Sequence, residues 1–232
     1  MNLNNEIIKL LNKNGCNIFG FANLYDLSKE ANLNYDYGIA IALSFSKEAM
    51  IENQNGAPQR YSGEHDPMTH KLNTLKSIVA DFLMCKGYDV CVDTPAIIVD
   101  RNILRSNLPL KTLGTLSGLG WIGKNAMLVT DEVGSALRLT ALLTNAPVEC
   151  GEPVIKSKCS PECTICSDVC PGNAPLGGLW GVGIDRDSFF DAFACQTVAR
   201  ARAKDLLGID DESRCGLCIS CCPYTKRALG YE

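Results

Sequence analysis

Cysteine spacing constrains the fold of this chain more than any other feature of its sequence. Nine of its 13 cysteines fall between residues 159 and 222. They form two runs with one pattern, C-x2-C-x3-C-P. The runs consist of Cys163, Cys166 and Cys170 before Pro171, and of Cys215, Cys218 and Cys222 before Pro223, with Cys159 ahead of the first run and Cys195 between the two. Closely spaced thiols that recur in this way favour metal binding over a disulfide framework.

Iron-sulfur clusters are the metal centres that this pattern favours. A cubane cluster needs four converging thiolates, and a C-x2-C turn supplies two of them. In two-cluster ferredoxins the cysteine before the proline binds the cluster of the other run. The same crossing predicts two 4Fe-4S clusters in this chain. The first is expected on Cys159, Cys163, Cys166 and Cys222, and the second on Cys170, Cys195, Cys215 and Cys218.

Structural zinc sites are the alternative, because separated C-x2-C pairs are also typical of zinc. The two C-P endings argue against zinc. Cys221 lies beside Cys222, so either thiol is a candidate ligand, although Pro223 favours Cys222. Cys16, Cys85 and Cys91 lie in ordinary helix and strand patterns, where a small buried residue is the default. We expect both clusters to survive their replacement.

Composition predicts an ordinary globular protein. Of the 232 residues, 46% are hydrophobic and 21% are charged, which allows one large domain or two small ones. The sequence has no leader-like N-terminus and no apolar run of about 18 residues, so we expect a cytoplasmic protein outside the membrane. Cysteines in that reducing compartment indicate metal or redox chemistry. A net charge of -4 leaves only a local basic patch as a basis for nucleic-acid binding.

Periodicity predicts an α+β fold in which a mixed sheet with helices precedes a two-cluster ferredoxin-like domain. Residues 37–45 alternate bulky with small side chains, which predicts a strand whose bare face packs on a helix or lies against a flat ligand. Residues 51–67 have loop composition, and a long helix is expected from Met68 to Gly87. The glycine and proline after Cys150 predict a boundary between domains 1–150 and 151–232.

A glycine-rich stretch at 118–125 matches G-x-G-x-x-G but lacks the context of a dinucleotide site. That fingerprint follows a strand, opens a helix and has an acidic residue about 20 positions later. Here a helical pattern precedes it, a strand pattern follows it, and the acid is missing. We expect a loop that another backbone or a cofactor approaches closely.

These motifs, taken together, resemble the epoxyqueuosine reductases, cobalamin-dependent iron-sulfur enzymes related to reductive dehalogenases. The matching stretches occur in the family's order. They are Gln59 to Tyr61 with His70 and Lys71, Val92 to Pro95, Gly118 to Asn125, Gly134 and Ser135, and the two cysteine runs with Cys195 between them.

The resemblance implies an N-terminal α+β domain that binds cobalamin without a protein ligand to cobalt, and a ferredoxin-like domain that delivers electrons to it. It makes Asp93 a candidate proton donor, whereas statistics alone make an aspartate before Thr94-Pro95 a turn residue. The implied cobalamin contacts are Arg60, Tyr61, Gly118, Gly120, Trp121, Gly123, Lys124 and Asn125.

The departures from the family set the expectations for partners. The sequence ends ten residues after Cys222, whereas the tRNA-modifying members continue into a helical-repeat domain, and residues 96–101 differ from the usual family run. We therefore expect a short family member that reduces a small molecule, with tRNA an unlikely partner. The alternatives are an electron-transfer protein, or a reductive activator, that serves a partner protein's corrinoid or redox enzyme. A flavin in place of the corrinoid is a further possibility.

Overall fold

The computed structural model describes residues 2–94, 100–210 and 212–232. Its helices are α1 (Leu3–Lys13), α2 (Lys29–Asn32), α3 (Lys47–Gln54), α4 (Gln59–Cys85), α5 (Leu110–Leu116), α6 (Ile165–Asp168), α7 (Ala192–Leu207), α8 (Leu217–Ser220) and α9 (Pro223–Leu229). Its strands are β1 (Ile18–Asn23), β2 (Tyr37–Ser44), β3 (Val90–Cys91), β4 (Trp121–Ile122), β5 (Leu128–Val129) and β6 (Leu137–Thr144). The predicted α+β class is confirmed. No described helix has the length and apolar character needed to cross a membrane.

The described residues divide into two compact units, and each unit is assembled from three stretches of chain. Unit 1 comprises Met1–Leu43, Met68–Leu119 and Arg138–Val154. Unit 2 comprises Ser44–Pro67, Gly120–Leu137 and Ile155–Glu232. These units differ from the predicted domains 1–150 and 151–232, because two earlier stretches pack with the cysteine-rich segment, residues 155–232.

Unit 1 is built on a four-stranded sheet with the order β1-β2-β6-β3. β1 pairs antiparallel with β2, and Phe21 lies opposite Ile39. The bulky residues of β2 join α1 and α4 in one buried cluster, in which Ile39 and Ile41 are fully buried. The small residue Ala40 belongs to a second buried cluster on the other face, together with Leu113 of α5. The sheet is therefore covered on both faces.

The bare face of β2 packs against a helix, as one of the two expectations for this strand proposed. A Cβ atom on Gly38 would lie 2.7 Å from Cδ2 of Leu113. Leu113 is fully buried, and burial of a leucine side chain stabilises a fold by about 1.5–3 kcal/mol. The glycine allows α5 to approach the sheet closely enough for that burial.

Unit 2 begins with two helices where the sequence predicted a loop over residues 51–67. α3 and the start of α4 occupy most of that stretch. Tyr61 and His65 lie one helical turn apart, and their ring centroids are 4.7 and 5.1 Å from that of Phe45. The aromatic contacts stabilise helix in a segment whose polar, glycine-containing composition resembles a loop, so tertiary packing overrides local propensity.

The glycine-rich stretch runs into the β4–β5 hairpin of unit 2, where Trp121 pairs with Val129. A Cβ atom on Gly120 would lie 2.0 Å from the carbonyl oxygen of Val129. Only glycine leaves room for this backbone contact. The fold itself therefore requires Gly120, whatever the cofactor.

Replacing Gly120 by alanine is expected to lower the free energy of unfolding by about 1–3 kcal/mol or more, because backbone must move to admit the methyl group. The matched control is Gly63→Ala in α4, where the added Cβ meets nothing within 4 Å. That change should stabilise the helix by about 0.5–1 kcal/mol. Denaturant unfolding of both variants measures the difference. A Gly120→Ala protein as stable as the Gly63→Ala protein would contradict the contact.

Candidate functional site

The first of two cysteine-lined cavities lies in unit 2 and has a volume of about 200 Å³. Four cysteines line it: one upstream of the first run, two from the first run and one from the end of the second run. They are Cys159, Cys163, Cys166 and Cys222. Its wall also includes Gly123, Lys124, Asn125, Tyr224 and Arg227.

The second cavity, also in unit 2, has a volume of about 280 Å³. The cysteines that line it are Cys170, Cys195, Cys215 and Cys218. Its remaining wall is mostly apolar and includes Tyr61, Met127, Phe190 and Val198. The structure thus groups the eight cysteines into the two sets of four that the spacing predicts, while their role as ligands stays a prediction.

The thiols of each set surround a space rather than a point. Across residues 2–94, 100–210 and 212–232, no three His, Cys, Asp or Glu side chains converge as a single metal ion requires. All 13 cysteines lie in this described part of the chain and outside disulfide bonds.

Short helices position the thiols around the two cavities. Cys166 lies in α6 and Cys218 in α8, and each helix has only four residues. Gly216 has a φ of +68° at the N-terminus of α8, where a Cβ atom would lie 2.6 Å from the ring of Tyr61. Cys222 is the N-cap of α9 and Pro223 its first residue. The first residue of a helix needs no backbone N–H, because that group has no acceptor within the helix, so proline suits this position. The Cys222–Pro223 pair therefore starts a helix directly after the thiol.

Burial, with a smaller contribution from neighbouring thiols, raises the pKa of three of these thiols, those of Cys166, Cys218 and Cys222. Burial raises the pKa of Cys166 to about 11, with smaller contributions from the neighbouring Cys163, Cys159 and Cys222. Burial also raises the pKa of Cys218 well above its usual value, and the neighbouring thiols of Cys195 and Cys215 raise it further. A raised thiol pKa leaves the proton in place at neutral pH, so metal binding at either set would release protons.

Two consecutive residues of the glycine-rich stretch bind the two cysteine runs. The Lys124 ammonium donates hydrogen bonds to the carbonyl oxygens of Pro161 and Cys163, over 2.7 and 2.9 Å. The Asn125 side-chain amide donates to the carbonyl oxygen of Cys218 over 3.3 Å. Lys124 is 3% exposed. The conformation of both loops therefore depends on this stretch.

The other predicted cobalamin contacts have varied surroundings. Trp121 is fully buried; its ring lies 4.8 Å from that of Tyr224 and 4.8 Å from the Lys158 ammonium. Arg60 is exposed and forms an ion pair with Glu52 at 2.9 Å. Gly118 has a φ of +77°, and a Cβ atom there would lie 2.8 Å from a backbone oxygen in unit 1. Tyr61, Gly123, Lys124 and Asn125 line the cysteine cavities.

Asp93 follows β3 in unit 1, and its side chain is exposed. Its backbone oxygen accepts a hydrogen bond from the Cys91 thiol over 3.4 Å. Lys76 donates to the carbonyl oxygen of Val92, over 3.0 Å, and so fixes the end of the strand. Pro95, which ends the matching stretch, and residues 96–99 of the divergent run lie outside the described residues. The role of Asp93 as proton donor stays a prediction.

The cysteines outside the two sets differ in burial. Cys16 is buried in unit 1 and donates to the carbonyl oxygens of Ile18 and Ala42. Cys85 is exposed, contrary to the expectation of a small buried residue. Cys221 is half-buried and does not line either cavity, in contrast to its neighbour Cys222.

Sequence reasoning missed several residues of the cavity walls. Val198 and Ala199 line the second cavity from α7. They follow Cys195 by three and four positions, so helical spacing alone could have placed them on the same face. No such local signal exists for Met127, which lies two residues after the glycine-rich stretch and outside both cysteine runs.

Comparisons with solved structures identify the fold, although no family model matches the sequence. An epoxyqueuosine reductase with an epoxyqueuosine-modified tRNA-Tyr stem loop matches 97% of this chain and 65% of its own, with a TM-score of 0.61 and 20% identity. The Bacillus subtilis epoxyqueuosine reductase, with its aspartate catalytic loop swung out of the active site, gives the same four values. A reductive dehalogenase whose structure suggests a mechanism for B12-dependent dehalogenation matches 94% and 31%, with a TM-score of 0.63 and 17% identity. The fold is therefore that of the epoxyqueuosine reductases and reductive dehalogenases.

Two curated relatives are epoxyqueuosine reductases. The epoxyqueuosine reductase of Lactococcus garvieae is 28% identical over 207 residues, which is 81% of this chain and 51% of the relative. That of Bacillus anthracis is 34% identical over 84 residues, or 36% of this chain and 22% of the relative. The chain thus spans between roughly a fifth and half of the length of such relatives. The predicted resemblance to the epoxyqueuosine reductases is confirmed.

The expectation that tRNA is an unlikely partner is wrong. One protein of the same fold was solved with an epoxyqueuosine-modified tRNA stem loop, and the curated relatives are named for the same modification. The expectation relied partly on net charge, which is a sum over the whole chain. Such a sum does not report the local surface that meets a nucleic acid.

Proposed function

We propose that this chain is an iron-sulfur oxidoreductase similar to the epoxyqueuosine reductases, with one 4Fe-4S cluster on each set of four cysteines. The observation that carries the proposal is the crossing of the two runs. Cys222 of the second run lines the first cavity, and Cys170 of the first run lines the second. Two-cluster ferredoxins exchange ligands in the same way, which supports a ferredoxin-like organisation of the cysteine-rich segment.

The size and charge of the first cavity fit such a cluster. A volume of about 200 Å³ between four thiols exceeds what one zinc ion fills. The buried Lys124 ammonium donates hydrogen bonds to two neutral carbonyl oxygens there, and the carboxylate that it attracts, that of Glu162, is exposed to solvent. A buried cation is costly unless an opposite charge lies close. A cluster with four thiolate ligands carries a net negative charge and supplies that partner.

A corrinoid is the second cofactor of the proposal. Its support is the likeness to the epoxyqueuosine reductases and to a reductive dehalogenase linked with B12. When bound, it would supply a low-valent cobalt centre capable of reducing carbon. Because Tyr61 and Lys124 line the cysteine cavities, we assign them first to the surroundings of the clusters.

Asp93 is the residue that we propose to move a proton. Removing an epoxide oxygen as water takes two electrons and two protons, and a carboxyl group near the leaving oxygen can donate one of these protons. Asp93 lies two residues after the end of β3, and it is exposed. The aspartate catalytic loop of the Bacillus subtilis epoxyqueuosine reductase supports the assignment.

Epoxyqueuosine in tRNA is the substrate that we propose to test first, because the relatives are named for its reduction. The free nucleoside tests the earlier expectation of a small-molecule substrate in the same assay. We do not retain the alternative of an electron-transfer protein. Unit 1 has its own four-stranded sheet and two buried clusters, which electron transfer between clusters does not require.

The test is anaerobic reconstitution followed by cofactor binding and turnover. We expect about eight iron and eight sulfide per chain, because two cubanes require that number. Added cobalamin should shift to its base-off absorption spectrum, and a reductant should then convert the epoxyqueuosine-bearing stem loop, as followed by mass spectrometry. Protein that holds zinc and no acid-labile sulfide would refute the clusters, and an unchanged cobalamin spectrum would refute the corrinoid.

A further inference from the structure

The two cavities share the number of thiols but differ in charge. The residues that line the first include Lys124 and Arg227. The described residues that line the second include no lysine, arginine or histidine. Arg227 is exposed, with its guanidinium 5.6 Å from the centre of the Tyr224 ring, so solvent screens its charge. Among the described residues that line the two cavities, Lys124 is therefore the buried cation.

Among the described residues, the carboxylate that Lys124 attracts is that of Glu162, whose pKa is lowered chiefly by the Ser160 hydroxyl and to a smaller extent by Lys124. Both hydrogen-bond acceptors of Lys124 are the neutral carbonyl oxygens of Pro161 and Cys163. Glu162, between them in the chain, is exposed, and its carboxylate accepts a hydrogen bond from the Ser160 hydroxyl. Because Glu162 is exposed, solvent screens its charge, whereas the thiolates of the first cavity, once they hold metal, would place negative charge beside the buried Lys124.

We propose that Lys124 raises the reduction potential of the centre in the first cavity above that of the centre in the second, and so makes the first centre the one that holds the electron. This inference rests on the proposed clusters. Reduction adds one negative charge, and a buried positive charge stabilises the more negative state. The hydrogen bonds of Lys124 to the Cys163 loop keep the ammonium at the cavity wall, which makes it a positioning residue as well.

Three variants separate the charge from the hydrogen bonds. Lys124→Gln removes the charge and keeps a donor, and Lys124→Met removes both. The matched control is Lys158→Gln, because Lys158 precedes Cys159 but its side chain is 52% exposed and pairs with Asp131 at 3.0 Å. Potentiometric titration followed by electron paramagnetic resonance measures each centre. The Cys222→Ala protein identifies which signal belongs to the first cavity.

We expect Lys124→Gln and Lys124→Met to lower the equilibrium constant for reduction of the first centre about tenfold, or about 59 mV for one electron. The second centre and the Lys158→Gln protein should keep their potentials. The inference would be overturned if Lys124→Gln shifted the reduction potentials of both centres equally or left them at the wild-type values. It would also be overturned if Lys158→Gln shifted the potential of the first centre as much as Lys124→Gln does. If the protein still bound eight iron atoms, those results would refute only the role of Lys124 and not the proposed clusters. Wild-type protein that binds no iron would refute the clusters and the role of Lys124 together.

Discussion

Replacing Cys222 by alanine is expected to halve the iron that the reconstituted protein binds, from about eight to about four atoms per chain. Replacing its neighbour Cys221 should leave all eight. The difference follows from the cavity walls, because Cys222 completes the set of Cys159, Cys163 and Cys166 whereas Cys221 lines neither cavity. A cubane with three of its four thiolates is labile, so the loss should include its sulfide.

The measurement is iron and sulfide analysis with a spectrum of each cluster. Cys170→Ala provides the mirror experiment, because Cys170 lines the second cavity although it belongs to the first run. The cluster on Cys215 and Cys218 should then be lost, and the one beside Cys163 and Cys166 kept. Loss of the neighbouring cluster instead would show that the runs do not cross.

The second large effect is expected at Asp93. If its carboxyl protonates the leaving oxygen, Asp93→Asn should lower turnover by about 10²- to 10⁴-fold, the usual contribution of a general acid. Cluster content and the base-off cobalamin spectrum should not change. The amide has nearly the shape of the carboxyl group but no acidic proton, so the loss would fall on proton transfer rather than on folding.

Asp89→Asn is the matched control, since Asp89 lies on the other side of β3 and its carboxylate accepts a hydrogen bond from Asn145 over 3.2 Å. That variant should keep turnover within a few fold. Single-turnover rates with the modified stem loop compare the two. If the Asp93→Asn variant and the wild type had comparable rates, Asp93 would not be the proton donor and would be only a turn residue.

The regular elements were predictable where a strong pattern coincided with local packing. The alternation in β2 predicted the strand because both of its faces are buried, one with bulky and one with small residues. α7 spans Ala192–Leu207 and has Gly208 as its C-cap, a residue type that commonly ends helices and can be recognised in the sequence. The start of α4 was missed because the contacts of Tyr61 and His65 with Phe45 are not visible in local composition.

The grouping of the cysteines was also predictable, because spacing and the following proline determine which thiols can converge. The residues that support them were not. Lys124 binds a loop 37 positions away, and Asn125 binds one 93 positions away. No periodicity or spacing rule connects residues at such separations, so a motif that resembles a nucleotide loop gave no indication that it holds two cysteine loops.

The assembly of unit 2 from three separate stretches has a consequence for biosynthesis. Residues 44–67 leave the ribosome long before the last cysteine run with which they pack. Asn53, fully buried in the finished fold, donates to the Ser220 hydroxyl over 2.6 Å, and that partner lies 167 positions later in the chain. Contacts of such high sequence separation form slowly. Unit 2 therefore completes its fold only after synthesis of the second cysteine run. Because each set of four cysteines includes one from the other run, the proposed clusters would be inserted only after that step.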